Sequence, residues 1–144
     1  MSKNRRPPDH GDRESRRRRA MERLGTDEPS CLICGYSNPF CLELHHPAQK
    51  EFDDETAILC SNNHDDASDR QKDHPDKIKG CFSVLEPLAH WLFGLSDLLM
   101  IAAGEPQGAE LKELLTYVAA KLHALAHVLM DLARAATPAN GGAV

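Results

Sequence analysis

Residues 31–64 hold three groups of metal-binding or proton-carrying side chains: Cys31-Leu-Ile-Cys34-Gly35, then Leu42-Glu43-Leu44-His45-His46-Pro47, then Leu59-Cys60-Ser61-Asn62-Asn63-His64. A two-residue spacer lets both sulfurs of Cys31 and Cys34 face one ion, and Gly35 suits the tight turn that follows. Cys60, at the end of an expected strand, is the natural third ligand for zinc. The fourth should stand three residues on, where the chain has Asn63, and a neutral amide is a poor zinc ligand beside thiolates. His64, Cys41 and Cys81 are the available substitutes. The His45-His46 pair offers different chemistry. Neighbouring side chains on a strand point to opposite faces, so one imidazole can ligate a metal while the other activates water. A side-chain pKa near neutrality suits histidine to both roles.

CxxCG, Leu-Glu-Leu-His-His and Leu-Cys-x-x-x-His, in this order, resemble the HNH endonuclease family. The resemblance covers about residues 29–76 and implies a ββα-metal fold with a zinc held apart from the chemistry by Cys31, Cys34 and Cys60. It gives His46 the role of general base, and gives His45 and His64 the catalytic divalent ion, Mg²⁺ or another. The implied activity is hydrolysis of DNA phosphodiester bonds. Two positions depart from the family pattern. Asn63 replaces a zinc cysteine, and Asp54, Glu55 and Thr56 stand where the family has an asparagine that braces the general base. These departures favour a second reading, a catalytically impaired zinc module that binds nucleic acid or a protein partner.

The rest of the chain must position these residues. Apolar residues make up 41% of the sequence but aromatic residues only 5%, so the core must be aliphatic. About 40 residues around the cysteines cannot bury enough surface alone and need a metal or a packed partner element. The fold class expected is α+β, with a small ββα-metal zinc module at 28–80 and an antiparallel helical hairpin at 81–137. A disordered basic arm at 1–27, able to become helical from about Glu14 to Leu24, and a disordered tail at 138–144 flank them. The two strands are expected at Phe40–His46 and Ala57–Cys60, with a short helix from Asn62 towards His74-Pro75. In the hairpin, Leu85, Leu88, Leu92, Leu95, Leu99 and Ala102 recur at spacings of three and four. Leu111, Leu115, Val118, Leu122, Leu125, Leu129, Leu132 and Ala136 do the same after the Gly104–Gly108 turn, which suggests coiled-coil-like packing and a homodimer through these helices.

The net charge of −5 hides an asymmetry: residues 1–25 carry nine Lys/Arg against four acids, or +5, so the remainder sums to −10. Phosphates sense local charge, and Arg16, Arg17, Arg18 and Arg19 are the candidate DNA contacts. Glu86, His90 and Asp97 interrupt the first long helix, against a membrane span. Five cysteines and a polar, Arg-rich start suggest a reduced, cytoplasmic setting. His123 and His127 stand four apart on a helix without a nearby Glu, and read most simply as surface or core histidines.

Overall fold

The computed structural model describes residues 11–81 and 83–138. The start of the arm (1–10) and the tail from 139 to 144 lie outside the described residues. The described chain is α+β: a two-stranded antiparallel sheet and four α-helices.

The sheet is small. Strand β1 (Leu42–His45) pairs with β2 (Ala57–Cys60) in the register Leu42↔Cys60 to His45↔Ala57. β1 is shorter than expected because Pro39–Cys41 form a 3₁₀ turn, with Asn38 Oδ1 accepting from the Phe40 amide. Helix α2 (Ser61–Arg70) starts directly from β2 and passes into a second 3₁₀ turn at Gln71–Asp73. Strands of four residues cannot stand alone. Here Leu42 and Leu59 are wholly buried in a core shared with Leu24, Cys31, Ala67, Leu98 and Ile101. That core draws on elements far apart in sequence.

Leu24 belongs to helix α1 (Arg13–Leu24), so the stretch expected to become helical within the arm is a formed helix rather than a disordered segment. Asp12 caps the helix, accepting from the Ser15 amide at 2.7 Å, and Gly25 closes it in the left-handed region at φ 74°. Leu24 is buried, and the Arg23 guanidinium donates to the Leu42 carbonyl at 3.0 Å. One apolar side chain and two caps fix a segment whose average composition reads as disordered.

Leu98 and Ile101 belong to α3 (Leu85–Gly104), which also pairs with α4 (Ala109–Ala136). The pair is antiparallel, with Ser96 Oγ donating to the Ala119 carbonyl at 2.9 Å and Phe93 meeting His123 and His127 nearer the C-terminal end of α4. Pro87 falls in the first turn of α3, where it is tolerated. The leucine lines expected as the seam form it only in part: Leu92 and Leu129 pack against the Ala89, Phe93, Ala126 and Met130 cluster between the helices. The buried face of α3 runs through Glu86, Ala89, His90, Phe93, Gly94, Asp97, Leu98 and Ile101. α4 buries Ala119, Ala126, Met130 and Ala133, while Leu111, Val118, Leu125 and Leu132 are exposed. Alanines let the helices approach closely around Phe93 and Met130, and the exposed leucines of α4 lie outside that contact.

α3 is the one helix among the described residues long and apolar enough to cross a membrane. Its polar residues, expected as interruptions, are instead buried contacts with the rest of the chain. Glu86 accepts from the Ile78 amide at 2.6 Å, and Asp97 Oδ2 lies 2.7 Å from His74 Nε2. Gly94 has no room for a side chain, since a Cβ there would come within 2.0 Å of the Pro47 carbonyl oxygen.

His90 is 1% exposed, stacks on Phe52 with ring centroids 3.9 Å apart, and has no hydrogen-bond partner on either ring nitrogen. Burial holds its pKa below the ordinary 6.5; His74 pushes it further down, against a smaller pull from Glu86 and Glu51. The unfolded chain therefore takes up the proton first, and stability present above about pH 6.5 is lost as the pH falls. In urea titrations, His90→Leu should flatten the loss of stability between pH 6.5 and 5 relative to the parent, by at most about 1.4 kcal/mol per pH unit. An unchanged slope would show that His90 protonates equally in both states.

Candidate metal centre and histidine cleft

The turn at Cys31–Cys34 is tied down by backbone hydrogen bonds. The Gly35 amide donates to the Cys31 carbonyl at 2.9 Å, and the Cys31 amide to the Tyr36 carbonyl at 2.8 Å. Gly35 takes φ 71°, a conformation that glycine adopts without strain. The Leu32 amide donates to the Ile58 carbonyl at 2.8 Å, which docks the turn against β2 and brings it to Cys60 at that strand's end. The sulfurs of Cys31, Cys34 and Cys60 consequently lie within 4.8 Å of one another, close enough to hold a metal ion. Burial pushes the Cys31 thiol up, but backbone amides of Cys34 and Cys60 and the Asn63 side chain outweigh it and bring it to about 7. The thiolate that a metal needs is thereby favoured.

Asn63 is buried, and its Nδ2 donates to Cys31 Sγ at 3.4 Å. It supports a thiolate rather than replacing one. Of the candidate substitutes, Cys41 lines a cavity of about 460 Å³ together with Cys34 and Cys60, and its sulfur accepts from Asn38 Nδ2 at 3.7 Å. His64 faces elsewhere, and Cys81 is not among the residues around the thiols.

His64 lines a cleft of about 360 Å³ with His45, His46, Gln71, Lys50 and Lys72. All three histidines singled out in the sequence are therefore brought together. His45 ends β1, His46 follows it, and His64 comes from the first turn of α2. The His45 and His64 rings are perpendicular, with centroids 5.5 Å apart. Burial, helped by His64 and His46, lowers the His45 pKa to about 4, which keeps the ring neutral and its lone pair available. His64 Nδ1 is buried without a hydrogen-bond partner, and the nearest carboxylates are Glu43 at 3.6 Å and Asp65 at 3.9 Å.

Asp54 and Glu55, candidates for bracing the general base, are exposed and do not line the cleft. Gln71 reaches the backbone at His46 instead. Its Nε2 donates to the His46 carbonyl at 2.7 Å and the Pro47 carbonyl at 3.0 Å, and lies 3.3 Å from His45 Nε2. Sequence reasoning missed it. The available signal was its spacing, seven residues after His64 and hence on the same helical side.

The arginines of α1 sit apart from the cleft. Arg16–Arg19 are exposed; Arg18 lies 3.8 Å from Glu22, and Arg16 donates to the Gly11 carbonyl. Arg17 joins Arg13, Tyr36, Asn38 and Phe40 around a separate cavity of about 430 Å³. The acidic run on α2 is partly neutralised locally, with Asp66 on Arg70 at 2.9 Å and Asp69 on Lys72 at 2.7 Å.

No protein-family model, curated protein or solved structure matches this chain.

If the three thiolates hold an ion whose fourth position Asn63 fails to fill, Asn63→Cys should tighten it. Chelator competition should give at least a tenfold gain in zinc affinity over the parent, and Cys60→Ser a loss of similar size or more. Equal affinities in all three proteins would remove the thiol cluster from metal binding.

Proposed function

We propose that the chain is a metal-dependent DNA endonuclease of HNH type, built on a ββα-metal module whose structural Zn²⁺ is held by Cys31, Cys34 and Cys60. The observation that carries this reading is the convergence of His45, His46 and His64 on one open cleft beside, but separate from, the thiol cluster.

The cleft residues divide the work by their surroundings. His46 is the general base: its imidazole takes a proton from water as the water oxygen bonds to phosphorus and the bond to the leaving oxygen breaks. Gln71 holds the backbone at His46 and Pro47, and so aims that ring. The buried neutral His45 and His64 would hold a divalent ion, with Glu43, 3.6 Å from His64 Nδ1, near enough to orient that ring. Such an ion would stabilise the charge that builds on the phosphoryl and leaving oxygens. Two imidazoles suit Ni²⁺ or Zn²⁺ better than Mg²⁺, which prefers oxygen ligands, so the donor set narrows the choice of ion. Lys50 and Lys72 at the rim, and the exposed arginines of α1, supply positive charge for the phosphate backbone.

One observation favours the second reading, a non-catalytic zinc module that binds nucleic acid or a partner: both family asparagine-and-cysteine departures remain unrepaired by Asp54, Glu55 or His64. Incubation with supercoiled plasmid and Mg²⁺, Mn²⁺ or Ni²⁺ separates the two. The endonuclease reading expects metal-dependent nicking that falls at least a hundredfold in His46→Ala. No nicking with any ion, from folded protein carrying one zinc per chain, would overturn it in favour of the second reading.

A further inference from the structure

Four of the histidines in the chain surround one phenylalanine. Phe93 is wholly buried on α3, and the rings of His74, His90, His123 and His127 lie around it. His90 is sealed against Phe52, but the others reach a cavity of about 670 Å³ between the second 3₁₀ turn, α3 and α4. Along its walls are His123 and His127 from α4, Asp97 from α3, and His74 from the segment after α2. Neither the thiol cluster nor the catalytic cleft includes any of these residues.

The His123 and His127 Nε2 atoms face each other at 3.2 Å. Two nitrogens at that separation, each about 2.0–2.1 Å from a common ion, subtend about 100°, close to the tetrahedral angle. The i,i+4 spacing on α4 produces the separation, and edge contacts with Phe93, at centroid distances of 5.2 and 4.9 Å, hold both rings in place. Asp97, engaged with His74 Nε2 at 2.7 Å, lines the same cavity without joining the pair at ligand distance. A histidine pair packed on Phe93 without an ion would need a proton on one facing nitrogen. The same geometry with both lone pairs free is a bidentate metal clamp.

We propose that His123 and His127 form a further metal site, apart from the thiols and the cleft, for a borderline divalent ion such as Ni²⁺, Co²⁺ or Zn²⁺. Two imidazoles favour such an ion over Mg²⁺, which prefers oxygen ligands. An ion held by the pair would leave positions open to the cavity.

Co²⁺ titration of the full-length, metal-stripped protein tests this, because thiolate ligation gives a charge-transfer absorption that imidazole and carboxylate ligation lack. His123 and His127 are exposed but meet the core at Phe93, so circular dichroism first checks that His123→Ala/His127→Ala is folded. The double variant should bind one Co²⁺ fewer per chain, while thiolate absorption and plasmid nicking stay at parental levels. His127→Gln alone, which keeps a polar group against Phe93, should weaken that one ion at least tenfold. Equal stoichiometry and affinity in parent and variants would overturn the site without touching the endonuclease reading, and loss of thiolate absorption in the double variant would overturn its independence.

Discussion

Helix α3 meets the loop after β1 at a contact that only glycine permits: the α-carbon of Gly94 lies against the Pro47 carbonyl, where a Cβ would come within 2.0 Å of oxygen. That approach lets Leu98 and Ile101 reach the core of the small sheet, and lets His90 and Asp97 reach Phe52 and His74. Two strands of four residues bury little by themselves. With α3 as a common wall, the thiol turn, the sheet, α2 and the helical hairpin share buried surface. The loop held by Gly94 is the one that follows His45 and His46, so the same contact also bears on the histidine cleft.

The two candidate sites stand on opposite sides of a short helix start. Successive residues of an α-helix are rotated by about 100°. Asn63 consequently turns towards Cys31 while His64 turns towards His45. This single step of helix geometry decides which site His64 serves. It leaves the thiol cluster with three sulfurs and a supporting amide, and gives the cleft its third imidazole. Gln71, further along the same side, then braces the His46 backbone where the acids of the preceding loop do not reach.

Much of this was legible in the residues. The CxxC spacing, the end of β2 at Cys60 and the turn signals at Gly104–Gly108 all depend on local chemistry, and local chemistry is what a sequence displays. The structure agrees on the second strand and on the antiparallel pairing of the last two helices. Burial on α3 and α4 was misread for a physical reason. Leucine periodicity marks a face as apolar, but the close approach of two helices is decided by small residues, here Ala119, Ala126 and Ala133. Glu86, His90 and Asp97 read only as interruptions of an apolar helix because their partners, Ile78, Phe52 and His74, come from other elements. The helical stretch of the arm was legible, but its anchoring was not: the charge density masks Leu24, which joins the core, and two good caps. Gln71 has no motif to announce it, since its role exists only once the loop it braces is folded.

The central claim is that module and hairpin form one cooperative unit through α3, and Gly94→Ala tests it most directly. Unfolding can be followed by fluorescence of Trp91, the single tryptophan and itself on α3, and by far-ultraviolet circular dichroism. The account predicts a loss of about 1–3 kcal/mol, with both signals still changing together and zinc affinity falling alongside. Unchanged stability, or a thiol module that keeps its zinc affinity while the hairpin alone melts early, would contradict it.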